Sequence, residues 1–250
     1  IASGILLPFH LNKDQPVHTS QAIFYNLAER WGLYNGLLIP LTFQAEEEKI
    51  YTGSMGLLSL GALASSIYLY PNISLTPGQA SALGSGIQFG LATGGLALFL
   101  TLDAWDDSSN ARSIIGGTLL LSSNLGLALA YSNRELFDID RRRILWIDTG
   151  GLLGALGGLG IGFFITGDDI GSNTNKVFAL TVFAGMIGGI YSGYVLSDTL
   201  DEYKHESELK EFSRNGYLIE PPSLSIFPII ADTQSSAQVA YGFDIIRGKW

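Results

Sequence analysis

Six apolar stretches make up most of this chain, separated by short polar or charged turns. No residue from Ile50 to Leu102 is charged, and Ser113–Asn133, Thr149–Gly167 and Val177–Ser197 are uncharged as well. About 20 mostly apolar residues are enough to cross the hydrocarbon core of a bilayer, so runs of this length read as membrane spans. Start and stop signals divide them into six predicted helices. The first covers Gln21–Phe43, with Thr19 or Ser20 as cap and Pro40 kinking its end. The second, Ile50–Tyr70, stops before Pro71. The third restarts at Leu75-Thr76-Pro77, with Thr as cap and Pro in the first turn, and runs to Leu102. The last three cover Ala111–Tyr131, Ile144–Thr166 and Lys176–Ser197.

Within these runs, small residues recur every fourth position. Gln21, Ala28, Gly32 and Gly36 fall at the same offsets as Gln79, Gly86, Gly90 and Gly94, and again as Arg143, Gly150, Gly154 and Gly158. Lys49, Arg112 and Lys176 each open a second run, and Gly61, Asn124 and Gly188 follow them at one common offset. The expected unit is therefore a Gly-rich helical hairpin occurring three times, over about 20–70, 77–131 and 141–197. Positions four apart share a helix face. Ala28, Gly32, Gly36, Gly86, Gly90, Gly94, Gly150, Gly154 and Gly158 are thus the candidate helix-packing residues, forming the small-xxx-small stripes on which membrane helices associate.

The flanks differ in kind. Residues 1–19, with His10, Pro8 and Pro16, read as an N-terminal arm, and residues 198–250 as a soluble C-terminal extension. In that extension Leu200, Tyr203, Leu209 and Phe212 give one short helix an apolar face, and Asn215-Gly216 stops it. Ser223–Ile230 and Gln238–Ile246 read as two strands. Two strands are too few to be stable alone and commonly recruit another chain by strand addition. Ile226, Phe227, Ile229, Phe243, Ile245 and Trp250 are therefore the expected partner-docking anchors. The chain begins at Ile1 without Met or a basic leader, as it would after removal of a signal peptide or an upstream domain. The sequon at Asn72-Ile73-Ser74 reads as a turn.

Composition sharpens this picture. Only 15% of the residues are Asp, Glu, Lys or Arg, against about 25% in soluble domains. Mean hydropathy is just +0.28, because Gly, Ser, Thr and Asn dilute the apolar runs. With six spans, the side carrying both termini holds Lys13, Arg134, Arg141, Arg142, Arg143, Lys204, Lys210, Arg214, Arg247 and Lys249. The opposite side has Lys49, Arg112 and Lys176 among Glu46, Glu47, Glu48, Asp103, Asp106, Asp107, Asp168 and Asp169. Under the positive-inside rule the termini would be cytoplasmic. Glu29, Arg30 and Asp148 lie inside the spans. An intramembrane charge is a functional candidate by default, but these sit near helix starts, where snorkelling or an Arg–Asp pair would satisfy them. Asp103, Asp106, Asp107, Asp168 and Asp169 could gather a hard cation. They lack the ligand spacing of a calcium loop and read as a solvated acidic rim, so no metal site is expected.

Catalytic patterns are missing. The chain has no Cys and three His. None of those His has metal-binding spacing, and there is no nucleophile elbow or phosphate loop. Net charge −9 argues against nucleic acid. The Gly-rich triple hairpin with a strand-like, aromatic-ended tail resembles uncharacterised Gly-rich helical-hairpin membrane proteins of the bacterial cell envelope. That resemblance covers about residues 20–250 and implies no activity. The expectation is an all-α membrane protein without cofactor, not an enzyme, whose partners are the lipid bilayer and other membrane subunits or copies of itself. It would serve as a structural or assembly subunit of an envelope complex, in either the inner or the outer membrane. The alternatives are a repeat-built channel or transporter, or an outer-membrane β-barrel with its alternating strands. Far-ultraviolet circular dichroism in detergent should give a helical spectrum; a strand spectrum would favour the barrel.

Overall fold

The computed structural model describes residues 19–101, 109–167 and 174–198. Among them are six long helices: α1 (Thr19–Thr42), α2 (Glu48–Leu69), α3 (Pro77–Leu100), α4 (Ala111–Ser132), α5 (Arg141–Thr166) and α6 (Thr174–Leu196). Short 3₁₀ turns at Tyr70–Asn72 and Arg134–Phe137 follow α2 and α4, and the described residues contain no strand. The β-barrel alternative is thereby overturned, since the 144–166 stretch is helical throughout. The expected helix and strands of the C-terminal extension, with the anchors Ile226, Phe227, Ile229, Phe243, Ile245 and Trp250, lie outside the described residues. So do Asp103, Asp106, Asp107, Asp168, Asp169 and residues 1–18.

Local chemistry explains the helix ends. At α3 the Thr76 hydroxyl accepts from the Gln79 amide at 3.3 Å, and the Gln79 side chain accepts from the Thr76 amide at 3.1 Å. With Pro77 next in line, this is a reciprocal capping box. Asp140 caps α5 by accepting from the Arg142 amide at 2.7 Å. Gly167, at φ 56°, ends α5 in the left-handed region open to glycine. Thr19 and Ser20 are inside α1 rather than capping it, and the Ser20 hydroxyl meets the Tyr70 hydroxyl at 2.7 Å. Pro40 also stays within α1. Having no N–H, it leaves the Gly36 carbonyl without its helical donor, and that carbonyl accepts the Ser54 hydroxyl of α2 at 2.5 Å.

Five helices, α2 to α6, are long and apolar enough to cross a membrane. The expected sixth, α1, does not meet that measure because Gln21, Asn26, Glu29, Arg30 and Asn35 dilute it. Many large apolar side chains face outward, unlike those of a water-soluble bundle. Phe164 is 91% exposed, Leu196 80% and Leu57 73%, whereas Ala80, Ser123 and Ser66 are almost fully buried. So many large apolar side chains on the outside, with small residues at the buried contacts, point to a lipid bilayer around the helices.

The helices pack chiefly in chain-order pairs, α1 on α2, α3 on α4 and α5 on α6, each antiparallel. α3 is the centre, touching α1, α4, α5 and α6, whereas α2 packs mainly on α1. Leu27 of α1, Leu75, Ala80, Leu83 and Ile87 around α3, and Ala130 of α4 form a buried apolar cluster, with Trp31 and Phe24 against it. Removing one half of the capping box, Thr76→Ala, should lower unfolding stability in detergent by about 1 kcal/mol, read from a denaturant titration.

Candidate functional site

The three helix pairs are built on glycine. In the α1/α2 pair, a Cβ on Gly32 would overlap the Leu58 carbonyl, and one on Gly36 would lie 2.5 Å from the Met55 Cα. In α3/α4, Gly86 faces the Gly126 carbonyl, Gly90 the Ser122 carbonyl and Gly94 the Ser122 side chain. In α5/α6, Gly150, Gly154 and Gly158 face Gly189, Gly185 and Thr181. Ala28, on the same stripe of α1, is half-buried. Apart from Gly94, whose neighbour is the Ser122 side chain, any side chain at these glycines would have to displace main chain rather than a rotamer. Such close approach also sets glycine Cα–H groups beside carbonyl oxygens, contacts worth about 0.5–1 kcal/mol each.

Sequence reasoning missed the second half of these seams. Gly126 meets Gly86 reciprocally, and Gly185, Gly189 and Gly193 meet Gly154, Gly150 and Trp146. The signal was present, since Gly185, Gly189 and Gly193 are also four apart.

Polar groups join one pair to the next. The Trp31 indole of α1 donates to the Asn124 side chain of α4 at 2.9 Å. Asn124 donates to the Asn35 side chain at 2.9 Å, and Asn35 donates to the Trp31 carbonyl at 2.7 Å. This closed network ties α1 to α4. The hint in the sequence was an Asn at the offset where the other two stretches carry glycine. Between α3 and α5, the Ser85 hydroxyl donates to one Asp148 oxygen at 2.7 Å, while the other oxygen is buried with no hydrogen-bond partner. The partner of Asp148 is thus a serine, not the expected arginine. Arg143 is instead buried, 2.9 Å from the Asp198 carboxylate, and its guanidinium stacks 4.4 Å from the centre of the Tyr194 ring.

The other two intramembrane candidates do not form an ion pair with each other. Glu29 is buried, and the Arg30 guanidinium turns back to the Asn26 carbonyl at 3.4 Å. Successive residues on a helix point about 100° apart, which keeps the two heads separate.

Ser85, Phe89, Leu125, Ile144 and Asp148 line an open groove of about 670 Å³ between α3, α4 and α5. Its wall is apolar apart from the Ser85–Asp148 pair and a few small polar groups. Among the described residues, no three His, Asp or Glu side chains come together as a metal site would require. No protein-family model, curated protein or solved structure matches the chain.

Geometry ranks two substitutions on α3. Gly90→Leu forces α3 away from the Ser122 main chain. Leu98→Ala removes a buried side chain in a setting where lipid is as apolar as leucine. Thermal unfolding in detergent should fall further for Gly90→Leu; equal small losses would contradict the backbone-contact account.

Proposed function

We propose that this chain is a non-enzymatic integral membrane protein, a structural or assembly subunit of a bacterial envelope complex, built from three copies of one Gly-rich hairpin. The observation that carries this reading is a recurring docking step between pairs. Leu27 of α1 lies against Gly84 of α3, and Ser85 of α3 bonds Asp148 of α5. Leu27 and Ser85 occupy one position of the proposed unit, and Gly84 and Asp148 occupy its neighbour. In the same way Trp31 packs on the cluster containing Ile87, and Phe89 packs on Gly151 at the matching positions. The first helix of each pair also reaches the second helix of the next, α1 to α4 and α3 to α6. In this reading α1 is the sixth span, with Glu29 and Asn35 turned inward.

The chemistry on display is adhesive. Small-residue seams, a closed Trp–Asn–Asn network and an outward apolar surface hold helices in place. They do not activate a nucleophile or hold a cofactor. Transport is the second reading, favoured by one observation: Asp148 is a carboxylate within a span, with one oxygen unbonded beside a groove.

Gentle detergent purification, with and without residues 217–250, separates the two. The assembly reading expects the full chain to co-purify in a larger complex that is lost with the tail, where Ile226, Phe227, Ile229, Phe243, Ile245 and Trp250 are the anchors suggested by sequence. Monomers in both cases, with ion flux in liposomes that Asp148→Asn abolishes, would establish transport instead.

A further inference from the structure

We propose that the groove between α3, α4 and α5 holds one acyl chain of an anionic phospholipid whose phosphate sits at Arg141. The proposal rests on the membrane and repeat readings above and is independent of the assembly role.

The groove has the length of one leaflet. Along α4 its wall runs from Ser122 to Asn133, and along α3 from Ala82 to Thr93, which is about 16 Å at 1.5 Å per residue. That is half of a hydrocarbon core of roughly 30 Å. The deep end therefore lies near the middle of α4, and the other end opens at Leu136 and Phe137, past the end of that helix. A volume of about 670 Å³ falls within the roughly 300–1,000 Å³ of ligand sites. Leu125, Leu129 and Leu136 form an exposed lip. The wall offers little to a polar ligand, because one Asp148 oxygen holds the Ser85 hydroxyl and the other is buried. Hydrocarbon is what such a wall accepts.

The first hairpin shows what fills this space elsewhere. There Phe24 of α1 meets Tyr70, just after α2, with ring centres 5.9 Å apart, and Leu27 is buried in the apolar cluster. Their counterparts in the second hairpin are Ala82, Asn133 and Ser85, and all three line the groove. Ile73 packs on the cluster, whereas its counterpart Leu136 is exposed. Two rings and a branched chain are thus replaced by a methyl group, an amide and a hydroxyl. On the α5 wall Ile144 and Asp148 are larger than their counterparts Ala80 and Gly84, yet the groove stays open beside them. The apolar volume that the first hairpin provides from its own sequence comes, in the second, from a lipid chain.

Charge at the mouth selects the head group. Arg141, Ile144 and Asp148 are spaced three and four apart, so they share one face of α5. Ile144 and Asp148 line the groove, and Arg141 stands one turn nearer its mouth, exposed. Among the described residues no carboxylate pairs with it. Basic pockets between membrane helices bind anionic head groups, and a guanidinium fits a phosphate with two parallel bonds. Glu135 lies in the same connection, so selection rests on direct contact rather than on net charge.

The test uses the full chain in vesicles of phosphatidylglycerol and phosphatidylcholine, with a trace of phosphatidylglycerol carrying a photoactivatable group on its acyl chain. After extraction in mild detergent and removal of free lipid, irradiation should place adducts on Phe89, Leu125 and Leu129, and not on the outward residues Leu57 and Phe164. Leu129→Trp should abolish these adducts, whereas Leu153→Trp, exposed on α5 outside the groove, should leave them unchanged. Arg141→Gln should lower retention about fivefold, to the level of the matching phosphatidylcholine probe. Adducts spread evenly over the exposed apolar faces, or equal retention of both head groups by the unaltered chain, overturn the proposal. So does uptake only after removal of residues 217–250, which would assign the groove to that segment. No retained lipid on a chain that still co-purifies in a larger complex overturns the lipid site and leaves the assembly reading standing. Retained lipid on a monomer with Asp148-dependent flux supports the site and removes the assembly reading.

Discussion

Everything in this structure depends on how closely two helix backbones approach when at least one of them carries no Cβ at the contact. Glycines four residues apart turn one face of a helix into bare main chain. Opposite it, another helix presents carbonyls and Cα atoms, as at Gly154 against Gly185 and Gly90 against Ser122. In a bilayer no hydrophobic force drives helices together, because lipid tails are as apolar as leucine. Contact area and weak polar contacts must supply the association, and both grow as the axes close. Many of the large residues then point outward, as Phe164 and Leu196 do, while Ala80 is buried.

This constraint leaves side-chain hydrogen bonds a distinct role. Within a pair, close backbones set the geometry. Between pairs, where α1 meets α3 and α4 and where α3 meets α5 and α6, register comes from individual polar contacts such as Trp31 to Asn124 and Ser85 to Asp148. A polar group in hydrocarbon must find a partner, so such contacts discriminate between registers more sharply than apolar packing does. Pro40 uses the same logic within a pair. The helical bond it removes at Gly36 frees an acceptor that Ser54 fills, locking α1 onto α2.

The helical segments were legible from the chain itself, with ends displaced by only a few residues. Uncharged runs of membrane length, Pro77 after Thr76 and the glycine after Thr166 are local signals, and a helix satisfies its own backbone without outside help. The small-residue stripes were legible for the same reason, because positions four apart share a face whatever lies opposite. The partner of each stripe was not legible. The sequence marks Gly150 and Gly189 as small, but only folding sets the α5/α6 register that brings them together. Long-range polar pairs were equally hidden: Asp148 finds Ser85, 63 positions earlier, and Arg143 takes Asp198. Local periodicity decides which residues share a face, since it follows from the 3.6-residue turn alone. Which two faces meet, and at what register, depends on distant parts of the chain competing for one contact, and only the tertiary structure decides that.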